Sequence, residues 1–212
     1  ERMPFRIKRA LFPTKEQRDW RYVMLASFTL AGTFEIPTNF LGILMFMDTK
    51  NELSVGSYSA YQAIIAIIVS YWIGRWCRPE TRRQHLFWST MLLAASGLVF
   101  LFPLTLTSLL IFAMLRSAAM AMFGIGHFST RMEVIMDTAE DPYQRIEYLC
   151  AWEVPLAVGR TIMMLLMICV ALAFNDASLG IRIVIIVLCA LRLATYYFLA
   201  QTSVLQNQRK AV

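Results

Sequence analysis

The chain has 212 residues, of which 58% are hydrophobic and 16% are charged. A soluble domain usually carries about 25% charged residues, so this composition excludes an ordinary soluble domain and is typical of a membrane protein. The formal charge is +6, but basic residues in a membrane protein report orientation before they report a nucleic-acid partner, and no such partner is expected.

The first 21 residues, ERMPFRIKRALFPTKEQRDWR, form a polar and basic lead. Apolar residues are scattered among the basic ones, which is typical of a segment lying on the membrane surface, although a solvated linker fits the same composition. The chain begins with Glu1, and the lead lacks the uninterrupted apolar core of a signal peptide. We therefore expect a fragment or a processed chain.

Six segments after the lead are candidates for crossing a bilayer, which takes about 20 mostly apolar residues in a helix. The sequence therefore predicts an all-α, polytopic membrane domain over residues 22–204, followed by a short cytoplasmic tail at residues 205–212. The predicted spans are residues 22–47, 56–76, 86–103, 106–128, 149–174 and 178–203.

The charges of the connections between spans indicate the topology. Lysine and arginine collect in the lead, in the second and fourth connections and in the tail, so both termini are expected on the cytoplasmic side of the cell inner membrane. The fourth connection, residues 129–148, is the longest and is expected to contain a short interfacial helix, whereas the third is very short. Two groups of three spans follow, and an odd number of spans per group gives the 3+3 inverted repeat known from transporters.

Charged residues inside a span cost at least about 2.5 to 3.5 kcal/mol each on insertion scales, so each needs a reason. Three of them are positive and two are negative. The excess of positive charge predicts an anionic group elsewhere, which is a solute, a lipid headgroup or a carboxylate of another subunit or domain. The five residues are Glu35, Arg116, Glu153, Arg160 and Arg192.

Glu35 lies near the middle of the first span, close to Pro37 and Asn39. A proline just after an acid can bend the helix and open a polar site at membrane depth, but a purely structural kink explains the same residues. Arg116 is central in the fourth span, where it either holds an anionic ligand or pairs with Glu35. These residues are the candidates for solute binding or proton coupling.

Glu153 and Arg160 share one face of the fifth span, with small residues between them. Their separation of seven residues corresponds to about 10.5 Å along a helix, which is long for a direct ion pair. We therefore expect each to pair with another helix and to serve structure. Arg192, in the sixth span, has no evident partner in the sequence.

No catalytic or metal-binding constellation accompanies these charges. The four cysteines are widely spaced and lack a partner at metal-ligand spacing. His85 and His127 fall at predicted helix ends, where a single histidine more often caps a helix or lies at the interface. The sequence therefore predicts neither an enzyme nor a cofactor, and an intramembrane enzyme remains the least favoured reading.

The second connection carries the most specific motif, in the stretch YWIGRWCRPETRRQHLFW. Gly74 begins it and Arg82 and Arg83 close it at the spacing of the loop signature of the major facilitator superfamily, in which a glycine, three residues, Asp-Arg, one residue and a second glycine precede two basic residues. Arg78 stands where that family has the aspartate, and Pro79 and Thr81 replace the next arginine and the second glycine.

The chain thus resembles one six-helix half of a major facilitator transporter, and the degenerate motif resembles the copy in the C-terminal half. The stretch YQRIEYLCAWEVPLAVGR is similar to the entry into the fifth helix of that half in a poorly characterised bacterial subgroup. The resemblance implies that the lead is the linker between halves. It also makes Gly74, Arg78, Arg82 and Arg83 candidates for gating.

The resemblance further implies where each span lies. Spans one and four would line a central cavity, spans two and five would face the other half, and spans three and six would lie outside. Glu35, Asn39 and Arg116 would then belong to the cavity, Glu153 and Arg160 to the interface between halves, and Arg192 to an outer helix.

The leading hypothesis is a secondary active transporter, or half of one, that moves a small solute, with an anion favoured, by alternating access. Its second half would be in the same chain, in a second copy or in another subunit. The alternative is a non-transporting, transporter-like subunit that scaffolds a larger membrane complex. Both hypotheses require the lipid bilayer as a partner.

Overall fold

The computed structural model describes residues 10–34, 41–42, 45–46, 49–102, 105–173 and 177–210, and within these ranges the regular structure is entirely helical. Short 3-10 turns at Pro79–Thr81 and Leu98–Leu101 flank the third helix. The α-helices are α1 (Arg18–Phe34), α2 (Glu52–Trp76), α3 (Arg82–Gly97), α4 (Leu106–Thr138), α5 (Pro142–Ala173), α6 (Ala177–Ala200) and α7 (Ser203–Lys210).

Five of these helices, α2 to α6, are long and apolar enough to cross a membrane. The all-helical expectation is therefore confirmed for the described residues, and the five helices are compatible with a multi-pass membrane protein. Each of the five lies close to a predicted span. The predicted first span, residues 22–47, is described only as far as Phe34 and at residues 41–42 and 45–46.

The prediction for the fourth connection was wrong. In place of a long connection with its own interfacial helix, α4 continues to Thr138 and α5 already begins at Pro142. Proline fits the first position of a helix, where its missing N–H costs nothing, and the Asp141 carboxylate accepts a hydrogen bond of 2.8 Å from the Gln144 N–H. The polar residues after 128 therefore extend the two helices, because a helix outside the bilayer does not need an apolar sequence.

The helices pack in a regular set of pairs. Helix α1 packs along α5 and α6, and helix α4 packs along α2 and α3. Helices α3 and α6 pack against each other, so that these two join the first set to the second. A short additional contact links α5 to α6, whereas α2 and α3 have at most a slight one.

Glycines bring three of these pairs into close contact. A Cβ atom on Gly159 of α5 would lie 2.5 Å from the Phe28 carbonyl oxygen of α1, and one on Gly126 of α4 would lie 2.8 Å from Leu86 of α3. A Cβ atom on Gly97 would lie 2.8 Å from the Cys189 Cβ of α6. Small residues allow backbones to approach, which is the usual way membrane helices gain packing energy without a hydrophobic driving force.

The end of the bundle that holds the start of α1 is closed by aromatic and polar contacts. Trp20 is fully buried, donates to the Ala10 carbonyl oxygen at 2.7 Å and packs edge-on against Tyr148 of α5. Helix α7 continues from α6 as part of the same structure, since the Asp19 carboxylate accepts hydrogen bonds from Ser203 and Leu205 is buried. The stretch predicted as a tail is therefore helical as far as Lys210.

Candidate functional site

A line of mostly buried side chains, chiefly cationic and aromatic, runs through the bundle along one face of α4. Its members on α4 follow at intervals of three and four residues, which places them on the same side of the helix. Arg192 of α6 and Trp152 of α5 complete the line from the neighbouring helices. The α4 members are Arg116, Met120, Phe123, His127 and Arg131.

Arg116 lies at the deep end of this line and is only 6% exposed. It interacts electrostatically with Tyr58 of α2 and Cys189 of α6, and Tyr58 is itself buried. Arg116 is also close enough to Arg192 for the two positive charges to interact. Two like charges therefore share one interior region, which is a natural place for an anion.

Arg192 is fully buried in an apolar and weakly polar environment. One Nη donates to the Met120 sulfur at 3.2 Å, and the guanidinium carbon lies 4.8 Å from the centroid of the Phe123 ring. Its Nε and other Nη have no hydrogen-bond partner among the residues described. The resemblance had implied only an outer helix for Arg192, yet the side chain points inward between α6 and α4.

The other end of the line, towards the C-terminus of α4, is an aromatic stack. His127 lies on Phe123 with ring centroids 5.5 Å apart, and the Arg131 guanidinium carbon is 3.7 Å from the centroid of the Trp152 ring. The Trp152 indole N–H donates to the Ser27 hydroxyl at 2.5 Å and so ties α5 to α1. A cation over a tryptophan face is attracted by the ring quadrupole, by about 2 kcal/mol when water is excluded.

Sequence reasoning missed this stack. Arg131 was counted as a charge of the fourth connection and His127 as a helix-end residue, because hydropathy alone placed the end of the span at residue 128. Both residues are in fact buried inside α4. Their spacing of four residues, together with Phe123, could have indicated a continuous helix face.

The remaining candidates on α5, Glu153 and Arg160, are not members of this interior line. Glu153 is exposed and interacts electrostatically with Arg131 of α4, without an ion pair within 4 Å among the described residues. That Glu153 pairs with another helix stays a prediction. Arg160 is half-buried and follows Gly159, the residue that contacts α1. No salt bridge within 4 Å joins Glu153 to Arg160 in the described structure. The candidates Glu35 and Asn39 lie outside the described residues.

The four gating candidates of the second connection have different surroundings. Arg82 forms a salt bridge of 2.5 Å with Glu133 of α4, the one such pair in the described ranges. Arg78 is exposed, and its backbone N–H and C=O bond the Thr81 hydroxyl in a local turn. A Cβ atom on Gly74 would meet nothing within 4 Å, so no close approach requires a glycine there. Arg83 forms no ion pair with any described residue and lines a groove beside α6.

No group of three metal-ligating side chains occurs in the part of the chain that the structure describes. All four cysteines are free, with Cys189 buried and Cys150 and Cys169 exposed on the outside of α5. Cys77 follows the end of α2, outside the spans, where burial raises the pKa of its thiol and the nearby Arg82 acts in the opposite direction.

Comparison with known proteins gives a weak similarity. The chain is similar to the uncharacterized protein YqgE of Bacillus subtilis (strain 168), with 21% identity over 169 residues. The alignment covers 79% of this chain and 39% of the relative, so the chain spans about two fifths of the length of the curated relative that it matches. No protein-family model matches the chain, and no solved structure matches it significantly.

Proposed function

We propose that the chain is a six-span half of a secondary transporter of the major facilitator type, which moves a small anionic solute by alternating access. The observation that carries this proposal is the pairing of the helices. The buried cationic line on α4 indicates the kind of solute, and the length of the relative bears on where a second half would come from.

The helix contacts are symmetric between the first three helices and the second three. If α1 is exchanged with α4, α2 with α5 and α3 with α6, each extended contact becomes another contact that is also present. The exchange turns the pair α1–α5 into α4–α2 and the pair α1–α6 into α4–α3, and it leaves α3–α6 unchanged. Each of these pairs is present as an extended contact. Such correspondence is expected for two related groups of three helices, and it supports the proposed inverted repeat.

Exposure follows the same correspondence. In an 18-residue apolar stretch of each helix, the buried share is only 6% for α2 and 17% for α5. The corresponding share is 39% or more for α3, α4 and α6. The two matched helices α2 and α5 therefore have broad apolar surfaces that lipid or another bundle must cover. In the proposed arrangement these helices face the second half.

A relative more than twice as long as the aligned stretch leaves room for a second bundle of this size. Half of a transporter supplies only half of a central pathway, so a second bundle is required for transport. In the proposal it comes from the same gene product, from a second copy or from another subunit.

The solute is proposed to be an anion because positive charge is concentrated inside the bundle. Arg192 has no carboxylate partner within the described residues, and Arg116 lies close enough to repel it. A buried charge without compensation costs several kcal/mol, and an anionic solute would relieve that cost. Glu35, which follows α1 directly in the sequence, is the proposed proton-coupling carboxylate.

Reconstituted transport tests the proposal. The complete gene product is placed in liposomes, and accumulation of a panel of radiolabelled small carboxylates and phosphate is measured with and without a pH gradient. We expect Arg116→Gln to abolish both accumulation and solute exchange, because it removes the anion-binding charge. Glu35→Gln should abolish accumulation but retain exchange, because only coupling to protons is lost.

Arg145→Gln is the matched control, since Arg145 is exposed at the start of α5 and makes the same charge change away from the interior. It should transport like the unmodified protein. Unchanged transport in both Arg116→Gln and Glu35→Gln would contradict the proposal.

A non-transporting scaffold is the second candidate, and the burial of the interior site favours it. Arg116 is 6% exposed and Arg192 is fully buried, so neither reaches an open cavity in this conformation. A scaffold would use the exposed faces of α2 and α5 for assembly alone. Loss of a co-purifying membrane partner on substitution of those faces, with no transport by the unmodified protein, would identify this function.

A further inference from the structure

A groove of about 660 Å³ lies on the outside of the bundle, between α3, α6 and the start of α7. One wall is the α3 face of Arg83, Phe87 and Met91, and the other is the α6 face that carries Leu193 and Tyr197. The groove is separate from the cationic line inside the bundle, and the transport proposal does not use it.

Both walls of the groove change from polar to apolar in the same direction. On α3, the residues at positions 83, 87 and 91 are Arg, Phe and Met, which lie above one another at intervals of four. On the other wall, the residues at 201, 197 and 193 are Gln, Tyr and Leu. The eight steps from residue 83 to residue 91 extend about 12 Å along the helix. A ligand that fills the groove must therefore be polar at one end and apolar along the rest.

The polar end of the groove is cationic, and the guanidinium N–H groups of Arg83 are available as hydrogen-bond donors. Arg83 makes no hydrogen bond or ion pair with any described residue, in contrast to Arg82, which is neutralised by Glu133. It lies in the first turn of α3, which contains no acidic residue and receives no side-chain cap from Thr81. The positive end of the α3 helix dipole adds to the positive potential there.

The level of the groove in the membrane is marked by aromatic residues. Phe87 packs edge-on against Tyr196 with ring centroids 5.5 Å apart, and Trp88 and Tyr197 are exposed beside it. Tryptophan and tyrosine collect at the depth of lipid headgroups, where one side of the ring is wet and the other is apolar. The polar end of the groove thus lies at the depth of the lipid phosphates.

We propose that this groove binds an anionic phospholipid, with the phosphate at Arg83 and an acyl chain along Phe87, Met91 and Leu193. Gln201 and Gln206 supply amide groups at the headgroup end. The apolar walls distinguish this site from one for a free anion, and the unpaired arginine distinguishes it from ordinary contact with the bilayer.

Native mass spectrometry of the detergent-purified chain tests this proposal by titration with phosphatidylglycerol and phosphatidylcholine. We expect one phosphatidylglycerol to bind in preference to phosphatidylcholine. Arg83→Gln should weaken phosphatidylglycerol binding about tenfold, since a hydrogen bond to a charged group is lost, and should leave phosphatidylcholine binding unchanged. Arg83→Lys, which keeps the charge, should recover most of the binding.

Arg78→Gln is the control, because Arg78 is an exposed arginine of the same loop that does not line the groove. It should bind phosphatidylglycerol like the unmodified chain. Equal loss in Arg78→Gln and Arg83→Gln would overturn the proposal, as would equal binding of the two lipids. Displacement of the lipid by equimolar glycerol phosphate would also overturn it, since the site would then recognise a soluble phosphate.

Discussion

Arg192 shows how a single residue can work against the stability of its own helix bundle. Its guanidinium is removed from water, and its contacts within the described structure are a methionine sulfur and a phenylalanine face. A cation over an aromatic ring recovers about 2 kcal/mol, whereas the desolvation of a buried ion costs several kcal/mol. The nearby positive charge of Arg116 adds to the cost. Such a residue is retained for function or for a partner.

We therefore expect Arg192→Met to stabilise the protein. Methionine fills much of the same volume without a charge, and each kcal/mol gained should raise the melting temperature of a domain this size by about 2–4 °C. Thermal unfolding in detergent, followed by circular dichroism, measures the effect. The exposed Arg145→Met is the control and should change little. A lower melting temperature for Arg192→Met alone would mean that an anionic group already compensates the charge.

The interior site could be predicted from the sequence only in part. The cost of charge in a span pointed to Arg116 and Arg192 as residues that need an explanation, and both are buried. Their neighbours could not be found in the same way, because Tyr58 and Cys189 come from other helices and reach Arg116 only through tertiary packing. The burial of Arg131 was not predicted, because a basic residue beyond an apolar segment normally lies in a solvated loop.

At the scale of helices, the predicted starts differ in accuracy from one helix to the next. Helix α4 begins at Leu106 as predicted, after Thr105 and Ser108 form a reciprocal capping box. The start of α5 was missed by seven residues, although Asp141, Pro142 and Gln144 form a recognisable helix start. Hydropathy locates the part of a helix inside the bilayer, and capping residues locate its end.

Contact between α1 and α5 depends on the absence of a side chain at Gly159. Gly159→Ala should destabilise the protein by about 1–3 kcal/mol, because its Cβ would lie 2.5 Å from a backbone oxygen that cannot move aside easily. The measurement is again the melting temperature in detergent.

Gly74→Ala is the matched control within a helix. A Cβ atom there meets nothing within 4 Å, and alanine favours a helix over glycine by up to about 1 kcal/mol, so this variant should be as stable as the unmodified protein or more so. Equal destabilisation by both substitutions would argue against close packing of α1 on α5.

At the scale of the whole molecule, the proposed transporter requires the correspondence between two groups of three helices. That correspondence requires α4 to α6 to enter the membrane in the opposite sense to α1 to α3. The connection after α2 and the connection after α4 should then lie on one side of the membrane, and those before α2 and before α4 on the other. The proposed orientation puts the first pair in the cytoplasm.

The most direct test is the labelling of single cysteines in intact cells and in permeabilised cells with a membrane-impermeant maleimide. Native Cys77 reports the connection after α2, and Glu140→Cys, Asn51→Cys and Thr105→Cys report the others, each in a chain whose remaining cysteines are replaced. All four positions lie outside the helices, and the three introduced ones are exposed. Burial raises the pKa of Cys77, so labelling at about pH 8.5 provides enough thiolate.

We predict labelling of positions 51 and 105 in intact cells, and of 77 and 140 only after permeabilisation. Labelling of 77 and 140 from opposite sides would contradict the inverted arrangement and the transport proposal that rests on it.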